Sequence, residues 1–359
     1  MLPPRPPLLQ LLPLLLLLLL AACIPLARAT QSLFKTLVVS ADAGRHGPSR
    51  ARFRQLAVNL PAVSFKTMVG LFMRFPDIIR LLDKGTNVTA FVPTDDAFAA
   101  LNATHPDYLA RVLSSDAELL RFVKYHIVPY RFDARWQTTL RSFQTTLGGE
   151  PVRVDLKGSL ALVGSGTGMA ARVLETAFVV NGAFTLLDNV LVPPVTFDVA
   201  AAWAGAHAYV DLVAAVPGLT AAMRALDKVT FFVPSNEALQ RTLGDVGSSL
   251  APGLASALVD GGIVSRVELM SHMDALKVDE QEEMPSCLPG QSVTARRVSP
   301  YSAGVRVSGA GNVVGANIVV SDIILVGGSV MHIVNEVVLP AADTLAAASA
   351  LDDPLMPAA

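Results

Sequence analysis

The chain has 359 residues, of which 52% are apolar and only 16% are charged, and its formal net charge is −2. This much apolar material excludes disorder over the whole length and leaves room for two domains of ordinary size. The chain also lacks a basic excess or a run of like charges. We therefore expect no nucleic-acid partner, because binding to phosphate backbones depends on clustered positive charge.

The first 29 residues have the features of a secretory signal peptide. Arg5 supplies positive charge, residues 8–22 are almost wholly apolar, and Ala27-Arg28-Ala29 is a small-residue cleavage pattern before Thr30. The apolar stretch is shorter than the roughly 20 residues that a membrane-spanning helix needs. We expect a secreted protein with no stable membrane insertion after signal cleavage; an uncleaved anchor is the alternative.

Residues 30–54 follow the predicted cleavage site and contain a basic stretch with Gly and Pro at 45–54. This composition is typical of a flexible leader, with a processing site or a polyanion contact as alternatives. Signal cleavage would also remove Cys23 and leave Cys287 alone. Stability must then come from large cores rather than internal disulfides, although Cys287 could pair between chains.

The remainder of the chain repeats itself. Three pairs of similar segments follow one another in the same order in both copies: 89–98 with 230–239, His126 with His272, and 186–193 with 333–340. A repeat of this length indicates a duplicated domain rather than a solenoid unit.

Each copy begins with helical patterns. An apolar helical face is predicted at Phe65, Met68, Val69 and Phe72. Pro76 interrupts it, and a second short helical segment ends at Gly85. Residues 88–92 are β-branched and aromatic and predict a short buried strand. Thr94 is then placed to cap the next helix, as is Ser235 in the second copy.

From residue 146 to 193 the pattern changes to short β-rich runs divided by glycines, at 152–154, 160–163, 178–180 and 190–192. Helices followed by strands predict an α+β fold. The glycine-rich segment 164–168 superficially resembles a phosphate loop, but no long helical pattern follows it, so we expect a hairpin loop. Residues 279–283 are polar and predict a solvated loop.

These segments resemble a known family. Residues 89–98 and 230–239 resemble the first signature motif of fasciclin (FAS1) domains, and the stretches near 181–194 and 328–340 resemble the second. The resemblance implies two tandem FAS1-type domains, each a β-wedge flanked by helices. Its boundaries divide the chain into a signal peptide at 1–29, a leader at 30–54, domains at 55–195 and 197–340, and a C-terminal tail at 341–359.

The resemblance also implies candidate partner-binding residues. Tyr125-His126 resembles a Tyr-His pair that family members carry between the two motifs, and the second copy has Ser271-His272 there. Asp322-Ile323 resembles a pair found in members used in cell attachment, where the first copy has Ala177-Phe178. A structural role for Tyr125, His126, Asp322 and Ile323 is the alternative. Many members also place a histidine where the first copy has Thr185 and the second His332.

The family resemblance implies cell adhesion or extracellular-matrix binding outside the cell, without catalysis. The expected partner is a protein or polysaccharide of the matrix or cell surface. We expect no metal or cofactor, because the histidines lack ligand spacing, and no nucleophile motif is present. The alternative function is extracellular small-ligand or lipid binding in a pocket between the helices and the β-wedge.

Two glycosylation sequons accompany the secretory signal. They are Asn87-Val88-Thr89 and Asn102-Ala103-Thr104. Asn102 falls in a polar stretch at a predicted helix end and is the first choice; Asn87 precedes a predicted strand.

Overall fold

The computed structural model of the protein describes residues 32–42, 63–132, 141–157, 160–164, 166–244, 250–299 and 304–351. The predicted signal peptide and the basic stretch at 45–54 lie outside these residues. The chain divides into two compact units. The first consists of Met1–Val163 and Ala171–Leu191, and the second of Gly164–Ala170 and Val192–Ala359.

The first domain combines a mixed sheet with helices. Its helices are α1 (Leu33–Asp42), α2 (Lys66–Met73), α3 (Pro76–Lys84), α4 (Asp95–Thr104), α5 (Pro106–Ser114) and α6 (Asp116–Tyr125). Its strands are β1 (Val88–Pro93), β2 (Ile127–Val128), β3 (Arg141–Thr145), β4 (Pro151–Lys157), β5 (Leu160–Gly164), β6 (Ala170–Val179) and β7 (Gly182–Leu187). The sheet order is β2-β1-β7-β6-β5-β4-β3, and the central pair β1 and β7 is parallel.

The second domain repeats this arrangement. Its helices are α7 (Phe197–Trp203), α8 (His207–Ala215), α9 (Leu219–Arg224), α10 (Asn236–Leu243), α11 (Pro252–Gly261), α12 (Met270–Met273) and α13 (Ala342–Leu351). Its strands are β8 (Thr230–Pro234), β9 (Ile263–Val264), β10 (Gln281–Pro285), β11 (Ser292–Arg297), β12 (Val305–Gly309), β13 (Ala316–Ile324) and β14 (Val330–Val334). The sheet order is β10-β11-β12-β13-β14-β8-β9, with β8 parallel to β14. Read from the β9 end, this is the order of the first sheet, which agrees with the predicted duplication and α+β class.

The helix and strand starts predicted around the first motif are confirmed. All four residues of the predicted apolar face at Phe65–Phe72 are buried, and so is every residue of β1. Thr94 Oγ1 accepts the N–H of Ala97 at 3.2 Å, and Ser235 Oγ accepts the N–H of Ala238 at 3.2 Å. Each cap satisfies a backbone donor that the first helical turn leaves without a partner.

The leader predicted to be flexible over 30–54 contains helix α1. Leu33 and Leu37 are fully buried, and the Leu33 N–H donates to Asn181 Oδ1 at 2.7 Å. The helix packs against α2, α3 and β7, as α7 packs against α8 and α9 in the second domain. The first domain therefore begins before residue 55, because these buried leucines supply part of its core.

Two strand predictions are also corrected. Residues 190–192 are buried but lie outside any strand, and the strand near the second motif is β7, whose backbone pairs with both β1 and β6. Residues 281–283 of the predicted polar loop belong to edge strand β10, which pairs antiparallel with β11. Three of the five residues of β10 are exposed, and charged side chains are common on edge strands, so a polar sequence is compatible with it. Residues 166–168 of the glycine-rich segment form a turn and a bend between the neighbouring strands β5 and β6, in agreement with the predicted hairpin loop, and residue 165 lies outside the described residues.

None of the helices within the described ranges combines the length and the apolar character needed to cross a membrane.

Candidate functional site

Buried polar residues of the second domain, Asp322 and His332 among them, converge on one loop. This segment consists of the loop 265–269, which follows β9, and Met270, the first residue of α12, and is called here the anchored loop. Three buried polar side chains from three strands hold it: Thr230 on β8, Asp322 on β13 and His332 on β14.

Each of these side chains bonds to the loop backbone. Thr230 Oγ1 donates to the carbonyl of Arg266 at 2.7 Å and accepts the N–H of Glu268 at 2.7 Å. Asp322 Oδ1 accepts the N–H of Met270 at 2.8 Å. His332 Nε2 lies 2.9 Å from the carbonyl oxygen of Glu268. The loop path is thus fixed at three alternate residues, 266, 268 and 270.

The Asp322–His332 contact sets the tautomer of the histidine. The Asp322 N–H donates to His332 Nδ1 at 3.2 Å, so Nδ1 is unprotonated and Nε2 carries the proton that it donates to Glu268. Asp322 has a φ of 57° and lies where the β13–β14 register shifts. A left-handed backbone is unfavourable for a non-glycine residue. The bonds made by its N–H and carboxylate offset that cost.

Glu268 carries a buried carboxylate on the anchored loop. Its Oε2 lies 3.1 Å from Arg266 Nε, and its Oε1 lies 3.5 Å from His272 Nδ1. Burial raises the pKa of the Glu268 carboxyl; the nearby Arg266 opposes that rise, and Glu282 adds to it. Arg266 also pairs with Glu282. The side chain of His272 is 61% exposed and faces solvent, whereas that of Arg266 is 39% exposed and its Nε is buried.

Ile323, beside Asp322, faces the core. It is 0% exposed and lies opposite Met331 in the β13–β14 register. Gly168, in the same unit, has a φ of 72°, and a Cβ at that position would lie 2.6 Å from Ile323 Cγ1. Glycine is therefore required at residue 168, both for its backbone conformation and for its close approach to Ile323.

Tyr125 and His126 are both fully buried at the end of α6. Tyr125 donates its hydroxyl hydrogen to the carbonyl of Pro151 at 2.8 Å. His126 Nδ1 lies 2.9 Å from the carbonyl of Phe122, whose ring centroid is 4.6 Å from the imidazole. No described residue forms a hydrogen bond to His126 Nε2. Burial lowers the pKa of His126 to about 4, so the imidazole is neutral at pH 7.

The hydrogen-bond register corrects the predicted counterpart of Tyr125-His126. The Phe91 N–H donates to the His126 carbonyl at 2.8 Å, and the Phe232 N–H donates to the Gly262 carbonyl at 2.8 Å. Phe91 and Phe232 occupy the same place in the repeated motif. The second domain therefore has Gly261-Gly262 where the first has Tyr125-His126. Ser271-His272, the predicted counterpart, lies farther along, in α12.

The counterpart of Asp322-Ile323 also shifts by one residue. In the first domain Thr176 lies opposite Thr185, and Ala177 lies opposite Phe184. Thr185 pairs with Phe91 as His332 pairs with Phe232, so Thr185 occupies the place of His332. The counterpart is therefore Thr176-Ala177 rather than Ala177-Phe178. There the two hydroxyls of Thr176 and Thr185 lie 3.1 Å apart and hydrogen-bond to each other.

The sequence analysis did not identify two contributors to the site. Thr89 bonds to the Tyr130 carbonyl and the Phe132 N–H, as Thr230 bonds to the Arg266 carbonyl and the Glu268 N–H. The repeated Thr at the start of both first motifs was a signal for this role. Glu268 had no such signal. The equivalent bond of Thr89 places Phe132 at the corresponding position of the first domain, and Phe132 is apolar.

The described residues contain no group of three or more His, Cys, Asp or Glu side chains placed to hold a metal ion. In the second domain, Thr230 and His332 direct their polar atoms to backbone groups. This arrangement is suited to fixing a loop and presenting its exposed side chains.

Comparison with known proteins identifies the family. The family model described as Fasciclin domain matches residues 63–193 and 204–340. A Synechocystis sp. protein named sll1483 is 30% identical over 132 residues, which covers 36% of this chain and 68% of that protein. A solved FAS1 domain pair from the insect cell adhesion molecule Fasciclin I has a TM-score of 0.37 and 15% identity, covering 78% of this chain and 98% of that one. The family model matches this chain twice and covers most of the chain's length. The chain therefore belongs to the Fasciclin domain family and carries two tandem FAS1 domains.

Proposed function

We propose that the protein is secreted and acts, without catalysis, in cell adhesion or extracellular-matrix binding. The observation that carries the proposal is the pair of Fasciclin domains in a chain whose first 29 residues have the features of a signal peptide. Fasciclin domains are typically extracellular or surface-associated. The partner is a protein or polysaccharide of the matrix or cell surface, and two domains in one chain raise a weak single-site affinity through multivalency.

The four candidate residues support binding from the interior of the domains. Tyr125, His126, Asp322 and Ile323 are all buried, so a partner contacts the segments that they position. In the second domain the carboxylate of Asp322 fixes the anchored loop. The exposed imidazole of His272, at the end of that loop region, is then held in a defined place for contact with a partner.

Attachment of cells or immobilised matrix to the purified full chain tests this function. We expect His272→Ala to weaken attachment while leaving the melting temperature nearly unchanged, since exposed substitutions usually alter stability by no more than about 0.5 kcal/mol. His207→Ala, an exposed histidine on α8 of the same domain, is the matched control and should change neither quantity.

Two results would contradict the proposal. If the wild-type chain supports no attachment but copurifies with a stoichiometric small molecule or lipid, the protein is a ligand carrier. If attachment is normal in the His272 variant and falls only in proportion to unfolding in Asp322→Ala, the anchored loop is scaffold, and binding resides on another surface.

A further inference from the structure

The first domain buries the uncharged imidazole of His126 at a place where binding of a second proton is unfavourable. His126 is 0% exposed, and its Nδ1 is within hydrogen-bond distance of the Phe122 carbonyl. Its Nε2 is buried with no hydrogen-bond partner among the described residues. An imidazolium has two N–H donors, so a second proton would leave one donor and a full charge without compensation.

The surrounding elements supply no counter-charge within the described residues. β1 has no ionisable side chain, and on α6 Arg121 is engaged with Glu118 and Glu150. The other ionisable groups on the neighbouring elements are Tyr125, Lys124 and Asp116 on α6, Asp95 and Asp96 on α4, Asp107, Tyr108 and Arg111 on α5, and Lys66 on α2. The pKa of His126 is shifted by burial and by the bond to the Phe122 carbonyl, and none of these groups contributes to the shift. Tyr125 donates to Pro151, and Asp95 is bound by Ser64 and Thr67.

We propose that the first domain contains an acid-sensitive latch, in which protonation of His126 releases the end of α6 together with β2 and exposes the Tyr125-His126 pair. At the equivalent position the second domain has Gly262 in place of the histidine.

The backbone around His126 explains what would be released. The His126 carbonyl accepts the Phe91 N–H at 2.8 Å, and the Ile127 carbonyl accepts the Leu147 N–H at 2.7 Å. β2 has only two residues and lies at the edge of the sheet, where it pairs with Thr89 and Ala90 of β1. A short edge strand held by few bonds opens at lower cost than the central strands.

The second domain has no ionisable group at the same position. Gly261-Gly262 replaces Tyr125-His126, and a Cβ on Gly261 would lie 2.5 Å from Pro340 Cγ. The proline ring therefore covers a position that carries no proton-binding side chain. Burial raises the pKa of Asp260, beside Gly261, so its protonation in acid removes a buried charge instead of creating one. Residues 252–264 therefore serve as an internal control for α6 and β2.

The pH window follows from the pKa of His126. Burial lowers it from 6.5 to about 4 in the folded domain. The unfolded chain thus binds more protons between these values, and the stability of the closed state is complete above pH 6.5 and falls as the pH is lowered. If opening gives His126 its unfolded pKa, the ratio of closed to open domains falls about 20-fold between pH 7 and pH 5.

Hydrogen–deuterium exchange of the full chain at pH 7 and pH 5, corrected for the intrinsic rate, tests the latch. We expect peptides spanning 116–128 to lose protection by about 20-fold at pH 5, and peptides spanning 252–264 to lose less than threefold. His126→Asn retains an N–H near the Nδ1 position and cannot titrate, so it should abolish the pH effect at 116–128. His272→Asn, at an exposed site, should leave the effect intact.

An independent measurement covers the case in which His126→Asn does not fold. In the wild-type chain, NMR titration should show no protonation of the closed His126 ring above pH 5. The proposal is overturned if His126 titrates near pH 6.5 with protection at 116–128 unchanged, or if 116–128 and 252–264 lose protection equally. It is also overturned if folded His126→Asn retains the wild-type pH effect.

Discussion

Asp322 and Ile323 are neighbours with opposite environments. The backbone of Asp322 turns through a left-handed conformation so that its carboxylate reaches the anchored loop, and Ile323 returns to the core. The polar residue thus directs the loop, and the apolar residue contributes to the stability of the second domain. A single substitution at either position therefore tests a different property.

Ile323→Ala should lower the free energy of unfolding of the second domain by about 2–5 kcal/mol, because it removes buried methyl and methylene groups from a packed site. Val319, on the same strand, is 63% exposed, so Val319→Ala should change this quantity by no more than about 0.5 kcal/mol. Urea unfolding followed by tryptophan fluorescence and circular dichroism measures both. Equal effects of the two variants would mean that Ile323 is not in the core.

At the scale of elements, helix α1 precedes the signature motifs in the sequence and is nevertheless part of the first domain. Its buried face is formed by Leu33 and Leu37, and Asn181, from the turn between β6 and β7, fixes its first residue. Asn181 also donates to the carbonyls of Leu82 and Gly85. One side chain therefore connects α1, the end of α3 and the start of β7.

Leu37→Ala should destabilise the first domain by about 2–5 kcal/mol, since Leu37 is fully buried. Lys35→Ala, on the exposed side of the same helix, is the matched control, and its effect should stay within about 0.5 kcal/mol. Thermal unfolding of the full chain, with protection of first-domain peptides measured by hydrogen exchange, distinguishes them. If Leu37→Ala behaves like Lys35→Ala, α1 contributes nothing to the fold.

The sequence predicted the elements whose signal is local. The face at Phe65–Phe72 has helical spacing, and Thr94 and Ser235 precede helices with acidic residues in the first turn. Other features depend on partners distant in sequence. Strand β10 is recognisable only when β11 lies beside it, and α1 only when α2 and α3 cover its leucines.

The candidate site was predictable only in part, for the same reason. The sequence placed Tyr125-His126 and Asp322-Ile323 in their motifs, but the correspondence between the copies depends on backbone register. The bulge before Ile323 and the substitution of two glycines for Tyr-His displaced both alignments. Register is determined by pairing between strands, which residue spacing along one strand does not report.

At the scale of the whole molecule, secretion and glycosylation give one joint prediction. The secreted chain should begin at or near Thr30, which leaves Ser32 to contact Asp83 and accept the Lys35 N–H at the start of α1. Asn102 and Asn87 are both exposed. The sequon hydroxyl of Thr89 is buried and bonded to Tyr130, however, so a glycan at Asn87 must be added before the domain folds, whereas Thr104 stays exposed.

Protein secreted from eukaryotic cells should therefore lose mass on treatment with a glycan-removing amidase, with conversion of Asn to Asp greater at position 102 than at 87. Mass spectrometry of intact protein and peptides measures the start and both sites. An Asn102→Gln variant is the control. Retention of residues 8–22, or an unchanged mass after the amidase, would contradict the respective half of the prediction.

The parallel pairing of β1 with β7 has a consequence for how each domain is made. Val88 lies opposite Gly182, and in the second domain Thr230 lies opposite Val330. The two strands of each central pair are therefore separated in sequence by most of the domain. During synthesis β1 is made first, and the whole intervening chain must be translated before its partner β7 is available. Contacts this distant in sequence slow folding, because a large loop must close before they form. Each domain should therefore acquire its sheet centre late, after the peripheral hairpins and helices, and the first can complete it before the second has been fully translated.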